Sequence, residues 1–470
     1  MHTTPRRDAR AKASIGSKAL SSCIALATLA SLLLVPPARS EGSDGAPLEQ
    51  RTRRPNVLIF LTDDQRIGTL KHMPATRRLI GRKGVTYENA FATTPLCCPS
   101  RASIMTGRYA HNHTVRDNSS AIRLDMSTTL QHNLHEAGYH TAIVGKFMNG
   151  WSSRALPPDF DRSVVLISSQ ERYGSNGYTQ AVFNVNGRLK RVHRYSTDFM
   201  GSRAGSILRR FDESDRRPWM MFVSPNAPHF PAIPPRRHSD AHVGEPEDNP
   251  AMHNANPRDK APEVRNFVLP RRLPKFARRQ KRTLLAVDEM VAAIFRTMRN
   301  LGEVRRTLVI FLSDNGMMWG EHGLSGKEWP YTHSLKIPLL LRWPQHILPN
   351  TRSSRMVANI DVAPTVYQAT ATGPDHVMDG RSLLSQARRR SLLLENWDNR
   401  QWKSVRTRSH QYIEYYGRRG IQFRELYHLR RDPWQLRNLL HRHPRRHRDI
   451  ATRLHQRLKR YRNCNGTLCP

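Results

Sequence analysis

The sequence predicts an α/β protein in which helices cover both faces of a mostly parallel β-sheet, followed by a smaller antiparallel sheet. Two apolar runs rich in β-branched residues are typical of buried strands: NVLIFLTDDQ from Asn56 and TLVIFLSDNG from Thr307. Amphipathic segments separate such runs, and strands that alternate with helices favour a parallel sheet. After Arg390, short strand-like runs follow one another directly, which predicts antiparallel pairing.

The 470 residues exceed what one compact core usually holds, so more than one domain is expected. Residues 1–40 have a basic start, a short apolar run and small residues at the end, which predicts a signal peptide and a secreted or extracytoplasmic protein. The apolar run is shorter than the roughly 20 residues of a membrane-spanning helix, so no span is expected. We expect a basic linker over 41–55, a catalytic α/β domain over 56–385 and a C-terminal α+β subdomain over 386–470.

The chain is strongly basic, with 76 lysines and arginines against 38 acids and a formal net charge of +38. Such a surface attracts polyanions, although an arginine bias spread over a solvated surface explains the charge equally well. No known nucleic-acid-binding motif accompanies the charge, so no specific nucleic-acid partner is expected.

Oxygen donors follow the two strongest strand predictions. Asp63 and Asp64 end the first run, and Asp314 and Asn315 end the second. Sites in parallel α/β sheets lie at the carboxyl ends of the strands, so these four side chains are expected at one sheet edge. Singly, each would more often be a solvated side chain. Together they suit a hard divalent cation, with Ca²⁺ preferred over zinc.

The cysteines fall into two groups outside the predicted signal peptide. Cys464 and Cys469 bracket the terminal segment CNGTLC, and a disulfide closing this loop is expected in an exported chain. Cys97 and Cys98 need another explanation, because a disulfide between sequence neighbours is strained.

The segment CCPSRASIMTG, from Cys97 to Gly107, resembles the first signature of the formylglycine-dependent sulfatases. GYHTAIVGK, APHFP, SDNG and GEHGLSGK follow in the order of that family, so the resemblance runs from Asn56 to Leu439. It implies an alkaline-phosphatase-like fold and hydrolysis of sulfate monoesters to an alcohol and inorganic sulfate. It also implies that a formylglycine-generating enzyme oxidises Cys97 to formylglycine (3-oxoalanine), whose oxygen joins the cation ligands.

The chemistry behind this modification follows from the charge of the substrate. A sulfate monoester repels nucleophiles, so a site must gather positive charge and supply a nucleophile that can later be released. One hydroxyl of a hydrated aldehyde attacks sulfur, and the other collapses to the aldehyde and expels sulfate.

The resemblance also assigns basic residues to the sulfate. Arg101 can reach back toward Cys97 if a helix begins near Pro99, a position that tolerates proline well. Lys146, His229 and Lys327 match the family's sulfate-binding lysines and histidine; these residues neutralise sulfate or protonate the departing alcohol. Such residues taken singly would more often be surface charges.

One departure from the general pattern indicates a subgroup. Many sulfatases carry a histidine where this chain has Met148, which leaves open the base that deprotonates the hydrate. GKFMNG and GRYAHNHTVRDN instead resemble the N-acetylglucosamine-6-sulfatases and the extracellular heparan sulfatases. The resemblance implies a sulfated carbohydrate of the glucosamine-6-sulfate type, with Asn149 and His113 as substrate contacts. Structural hydrogen bonding by His111 and His113 is an equal alternative.

Two other functions stay open at this point. A phosphonate monoester or phosphodiester hydrolase of the same superfamily can share the metal ligands and the oxidised cysteine. An inactive, basic glycan-binding relative can keep the fold, although a protein that only binds has no need to retain Cys97 and Lys327 together with the acids.

Overall fold

The computed structural model describes residues 54–151, 155–167, 175–214, 217–253 and 257–470. The predicted signal peptide and most of the predicted linker lie outside these residues. In the described ranges, no helix is long and apolar enough to cross a membrane.

The strands of the described residues are short and are named in chain order. They are β1 Asn56–Thr62, β2 Val85–Phe91, β3 His140–Gly145, β4 Arg162–Ile167, β5 Ala181–Val185, β6 Arg188–Val192, β7 Trp219–Ser224, β8 Thr307–Ser313, β9 Met318–Trp319, β10 Ser325–Gly326, β11 Leu339–Arg342, β12 Thr351–Ala358, β13 Ser391–Asn396, β14 Trp402–Thr407, β15 His410–Gly417 and β16 Gly420–His428.

The α-helices range from single turns to a helix of 28 residues. They are α1 Pro74–Leu79, α2 Cys97–Thr106, α3 Ala110–His113, α4 Leu130–Glu136, α5 Ser196–Ser214, α6 Pro262–Arg265, α7 Leu273–Asn300, α8 Thr332–Leu335, α9 Val362–Thr370, α10 Leu439–Arg442 and α11 Arg448–Tyr461.

Ten strands form one sheet in the order β12-β2-β11-β8-β1-β7-β3-β4-β5-β6. Its centre, from β8 to β4, is parallel throughout. Antiparallel pairing enters at β11 on one side and at β5 and β6 on the other. The predicted mostly parallel sheet is confirmed, with mixed pairing toward its edges.

Helices cover both faces of the sheet, as the side chains of β1 show, because they point alternately to one face and the other. Val57 and Ile59 pack in one core with residues of α2, α4 and α9. Leu58 and Phe60 point the other way and pack with residues of α5 and α7. Because successive side chains of a strand face opposite sides, an unbroken apolar run is needed to fill both cores.

The C-terminal part is an antiparallel sheet of β13, β14, β15 and β16, closed by α11. Leu454 and Leu458 of this helix are buried in the core beneath the small sheet. That core also contains Tyr331 and Ile360 from the α/β part, and residues Thr52–Pro470 form one compact unit. The boundary at 385/386 therefore stays a proposal based on topology.

The pairing of β1 and β8 positions the candidate site. The two strands are parallel and in register, with Thr62 opposite Ser313. The residues that follow, Asp63 and Asp314, therefore leave the sheet side by side at its carboxyl edge.

Candidate active site

Helix α2 carries the cysteine signature into the sheet edge. It runs from Cys97 to Thr106 and is capped by Gly107, whose φ of 69° is the left-handed conformation that glycine adopts easily at a helix end. Pro99 lies in the first turn, where its missing N–H costs nothing. Arg101 lies one turn after Cys97, so both side chains share one face of the helix.

Three buried carboxylates meet at the ends of β1 and β8. Oxygens of Asp63, Asp64 and Asp314 all lie within 4.8 Å of one another. Asp64 adopts a positive φ of 66°, and its backbone N–H donates to Asp314 Oδ1 at 3.1 Å. Backbone strain of this kind at a cluster of like charges is typical of functional sites.

Asn315 completes this cluster. Its Nδ2 donates to Asp64 Oδ1 at 2.7 Å, whereas its buried Oδ1 has no hydrogen-bond partner among the described residues. An orphaned amide oxygen beside three carboxylates is costly unless a cation binds there. The four oxygen donors therefore fit a hard divalent cation, as the sequence predicts.

Cations surround the carboxylates from three other segments. Lys146, after β3, donates to Asp63 Oδ2, and Arg101 Nε donates to Asp314 Oδ2 at 2.9 Å. Lys327 Nζ donates to Asp64 Oδ1 at 2.6 Å and to Cys97 Sγ at 2.8 Å. The structure thus brings together acids, cysteine and cations that are separated by up to 264 positions in the chain.

The charges inside the cluster shift the carboxyl groups in opposite directions. Burial alone would raise the pKa of Asp63, but the neighbouring charges of Lys146 and His229 hold that pKa well below its ordinary value. Burial and the nearby Asp63 raise the pKa of Asp314 to about 7. Ionising several neighbouring carboxyl groups in a site shielded from water is costly, so the pKa of one carboxyl group is raised while that of another stays low.

The two lysines remain cationic at neutral pH. Burial acts to lower the pKa of Lys146, but Asp63 reverses the effect and raises that pKa. For Lys327 too, burial acts to lower the pKa, but Asp64 raises it well above its ordinary value. Two permanent ammonium groups therefore lie beside Cys97, where a sulfate group would need them.

Cys97 itself is a poor nucleophile as a thiol. Burial, and then the Asp63 carboxylate, raise the pKa of Cys97, although Lys146 and Lys327 oppose the shift. Its Sγ donates to Asp63 Oδ1 at 3.3 Å. Because the thiolate is the reactive form, an unmodified Cys97 would be largely inert at neutral pH.

His229 lies at the open side of the cluster, with 35 % of its side chain exposed. Its Nδ1 contacts the carbonyl oxygen of Phe230 at 2.7 Å, so this nitrogen carries a proton. The other ring nitrogen, Nε2, lies 3.7 Å from Asp64 Oδ2. Burial lowers the pKa of His229 despite the nearby carboxylates, which favours the neutral ring.

The two histidines of the HNH run are structural in their contacts. His113 is buried, with Nε2 3.0 Å from Ser103 Oγ and Nδ1 accepting from the backbone N–H of Val115 at 3.2 Å. Burial lowers the pKa of His113 to about 3, so the ring is neutral. The ring is thus held by structural hydrogen bonds, and the predicted role of His113 as a substrate contact stays a prediction.

His111 ties the signature region to the end of the chain. Its Nδ1 lies 3.1 Å from Glu395, and its Nε2 lies 2.9 Å from the carbonyl oxygen of Cys464. Cys464 and Cys469 are joined by a disulfide. Asn149, in contrast, is half-buried beside α2, where its backbone N–H donates to Cys98 Sγ at 3.1 Å.

Ser100 lies within the signature but is not among the residues predicted from the sequence to form the site. Its hydroxyl donates to the backbone carbonyl of Asp314 and accepts from Asn359 Nδ2 at 2.8 Å. Ser100 therefore fixes α2 against the strand end that carries the acids. Its place between Cys97 and Arg101 is the only sequence signal for this function.

Comparison with family models identifies the class. The Sulfatase model matches residues 55–372, and the model of the N-sulphoglucosamine sulphohydrolase C-terminal region matches residues 320–464. The chain belongs to the sulfatase family, which confirms the resemblance seen in the sequence.

Individual relatives fall in the predicted subgroup. The chain is 31% identical to a Caenorhabditis elegans putative extracellular sulfatase Sulf-1 homolog, over 70% of this chain and 48% of that protein. It is also 31% identical to human N-acetylglucosamine-6-sulfatase, over 75% of this chain and 66% of that enzyme. A Bacteroides thetaiotaomicron N-acetylglucosamine-6-O-sulfatase is 24% identical over 92% of this chain and 91% of the relative. The chain thus spans about half to two thirds of these animal relatives.

Solved structures share the fold. A structure described as a complex with its substrate D-glucosamine-2-N,6-O-disulfate has a TM-score of 0.73 and 21% identity, over 87% of this chain and 97% of that one. The phosphonate monoester hydrolase of Agrobacterium radiobacter has a TM-score of 0.69 and 20% identity, over 86% of this chain and 95% of that one. These likenesses confirm the predicted alkaline-phosphatase-like fold with its C-terminal antiparallel sheet.

Proposed function

We propose that this protein hydrolyses sulfate monoesters to an alcohol and inorganic sulfate, with Cys97 in its formylglycine form. The observation that carries the proposal is the position of Lys327 Nζ, 2.8 Å from Cys97 Sγ and 2.6 Å from Asp64 Oδ1. The residue at position 97 thus lies where buried cations can receive a sulfate group, next to a cluster suited to a metal ion.

Maturation requires a partner. A formylglycine-generating enzyme of the host would oxidise the Cys97 side chain to an aldehyde before this buried segment closes, since Cys97 is wholly buried in the folded protein. Hydrated, the aldehyde supplies a hydroxyl that attacks sulfur and a second one whose deprotonation releases sulfate.

We propose Ca²⁺ as the bound cation. Asp63, Asp64, Asp314 and Asn315 would hold it, together with the modified side chain at position 97. When bound, a divalent cation neutralises charge on sulfate and makes a neighbouring hydroxyl more acidic. Oxygen-only protein ligands favour calcium over zinc.

The remaining side chains orient the ester and move protons. Lys146 and Lys327 neutralise the nonbridging oxygens of sulfate. Arg101 is held by Asp314 at 2.9 Å and by the carbonyl oxygen of Lys146 at 2.9 Å, so its guanidinium is fixed against the acids. His229 presents Nε2 toward the cluster and, once this nitrogen has taken up a proton, would give it to the departing alcohol.

A sulfated carbohydrate of the glucosamine-6-sulfate type is the proposed substrate. The names of the human and bacterial relatives support this class. So does the structural relative that is bound to a disulfated glucosamine. Asn149, half-buried beside α2, is the proposed sugar contact.

We also propose that the protein acts outside the cytoplasm. The disulfide between Cys464 and Cys469 is typical of chains that fold in an oxidising compartment. Relatives from C. elegans and Drosophila melanogaster are named extracellular sulfatases.

Phosphonate monoester hydrolysis is the second candidate, favoured by the fold shared with the A. radiobacter enzyme. Steady-state rates on glucosamine 6-sulfate, an aryl sulfate and an aryl phosphonate monoester separate the two. We expect the sulfate esters to have the larger kcat/KM. A larger kcat/KM for the phosphonate would replace the sulfatase proposal with the second candidate.

A further inference from the structure

A basic groove lies away from the candidate active site. It has a volume of about 920 Å³ and opens between edge strand β12, the turn after β14, and helix α11. Eight arginines line it, and among the described residues no aspartate or glutamate does. Across the sheet, β12 is three strand spacings (about 14 Å) from β8 and four (about 19 Å) from β1, the two strands that carry the acids of the candidate active site.

Most of this positive charge is not neutralised by the protein. Two of the arginines are paired, Arg389 with Asp361 and Arg352 with Glu88. The other six form no ion pair with a carboxylate of the described residues and are called here the arginine groove. They are Arg355, Arg388, Arg390, Arg408, Arg453 and Arg457.

Two simpler explanations do not account for the arginine groove. Charged side chains on an edge strand prevent sheets from pairing with one another, but of these six arginines only Arg355 belongs to β12. A general arginine bias would scatter charge over the surface. Here a segment before β13, the turn after β14, and helix α11 direct their arginines into the same groove. Mutual repulsion of these cations opposes folding and would be relieved by an anionic ligand.

We propose that the arginine groove binds a polysulfated glycan chain at a site separate from the active site. The choice of a sulfated glycan rests on the proposed function. Guanidinium groups pair with oxyanions through two parallel hydrogen bonds, and several in one groove suit a chain with repeated sulfate groups. No phenylalanine, tyrosine or tryptophan of the described chain lines the groove. It therefore lacks the stacking surfaces on which single-stranded nucleic acids bind.

The groove can be tested by binding. The variant carries Arg408→Gln, Arg453→Gln and Arg457→Gln, which remove three charges without breaking an ion pair. A matched control carries Arg77→Gln, Arg78→Gln and Arg82→Gln, three exposed arginines outside the groove. Dissociation constants for a heparin dodecasaccharide are measured by calorimetry for the full chain and both variants, and a single-stranded oligodeoxynucleotide of equal charge is the second probe.

We expect the groove variant to bind the dodecasaccharide about tenfold more weakly and the control to change by less than about twofold. Equal weakening in both variants, or none in the groove variant, would overturn the proposal. The choice of a glycan would be overturned if the oligodeoxynucleotide bound the wild type as tightly as the dodecasaccharide does and lost as much affinity in the groove variant.

Hydrolysis of a small aryl sulfate separates this proposal from the proposed function. The groove variant is expected to retain the rate of the wild type, because an aryl sulfate does not extend beyond the active site. If the wild type carries formylglycine and hydrolyses no sulfate ester, the proposed function fails. Specific loss of dodecasaccharide binding in the groove variant would still establish the groove.

Discussion

Lys327 Nζ donates a hydrogen bond of 2.8 Å to Cys97 Sγ, although 229 residues separate the two in the chain. The same ammonium group donates to Asp64 Oδ1 at 2.6 Å, and Asp64 raises the pKa of Lys327 well above its ordinary value. A permanent cation therefore joins the residue that becomes the nucleophile to the proposed metal ligands.

Removal of Lys327 is predicted to slow the hydrolysis of sulfate esters. Lys327→Ala should reduce kcat for an aryl sulfate by about 10²- to 10³-fold, the usual loss for one transition-state charge contact. Lys327→Arg keeps the charge and should recover part of the rate. Equal kcat for Lys327→Ala and wild type would show that this ammonium group does not act on sulfate.

Calcium is predicted to stabilise the folded protein. At a free concentration a hundredfold above its dissociation constant, a ligand adds about 2.7 kcal/mol to the free energy of unfolding. Calorimetry of the chelated protein, with and without added Ca²⁺, should therefore show a higher Tm with the ion. Asp314→Asn should abolish the shift, while Asp248→Asn, at an exposed carboxylate, should keep it. A shift retained in Asp314→Asn would place the ion elsewhere.

His229 is predicted to matter most for poor leaving groups. Because general acid catalysis contributes about 10²- to 10⁴-fold when the leaving alcohol needs a proton, His229→Asn should slow an alkyl or sugar sulfate by that order. Hydrolysis of a nitrophenyl sulfate should fall much less. The ratio of the two losses is the measurement, and a ratio near one would exclude His229 as the proton donor.

The contact of His111 with Glu395 predicts a pH dependence of stability. Burial alone would lower the pKa of His111, but Glu395 raises it; burial would raise the pKa of Glu395, but His111 lowers it. Stability from His111 is complete below its unfolded pKa of about 6.5 and is lost as pH rises through the folded pKa. Stability from Glu395 is complete above its unfolded pKa of about 4.3 and is lost as pH falls through the folded pKa.

The contact should therefore stabilise most near pH 5 to 6. Because Glu395→Gln breaks a buried pair, it is predicted to lower the free energy of unfolding by about 3 kcal/mol at this pH, and by clearly less at pH 9. Chemical denaturation at both pH values measures the difference. Asp159→Asn removes the half-buried partner of His132 and should lower the free energy of unfolding by less than about 1 kcal/mol. A cost for Glu395→Gln that does not change with pH would contradict the charge on His111.

Part of the site could be predicted because short segments of the sequence determine it. The apolar runs that end in Asp63 and Asp314 identify strands by composition, and the structure confirms both as neighbouring parallel strands. The signature from Cys97 identifies α2, and the CNGTLC loop contains the disulfide.

The rest depends on tertiary packing. His113 is buried and contacts Ser103, which lies ten residues earlier on helix α2, and the spacing of the HNH run does not reveal which side the ring faces. The role of Ser100 depends on Asn359, which lies far along the chain. The arginine groove likewise combines four segments, and no local pattern distinguishes its arginines from the many others.

Peptide mass spectrometry of protein purified from its native host shows directly whether residue 97 is formylglycine. We expect an aldehyde in place of the thiol at position 97. Cys97→Ala should lose both the aldehyde and the hydrolysis of sulfate esters, and Cys98→Ser should keep both. An unmodified thiol at position 97 in protein that still hydrolyses sulfate esters would contradict the formylglycine mechanism.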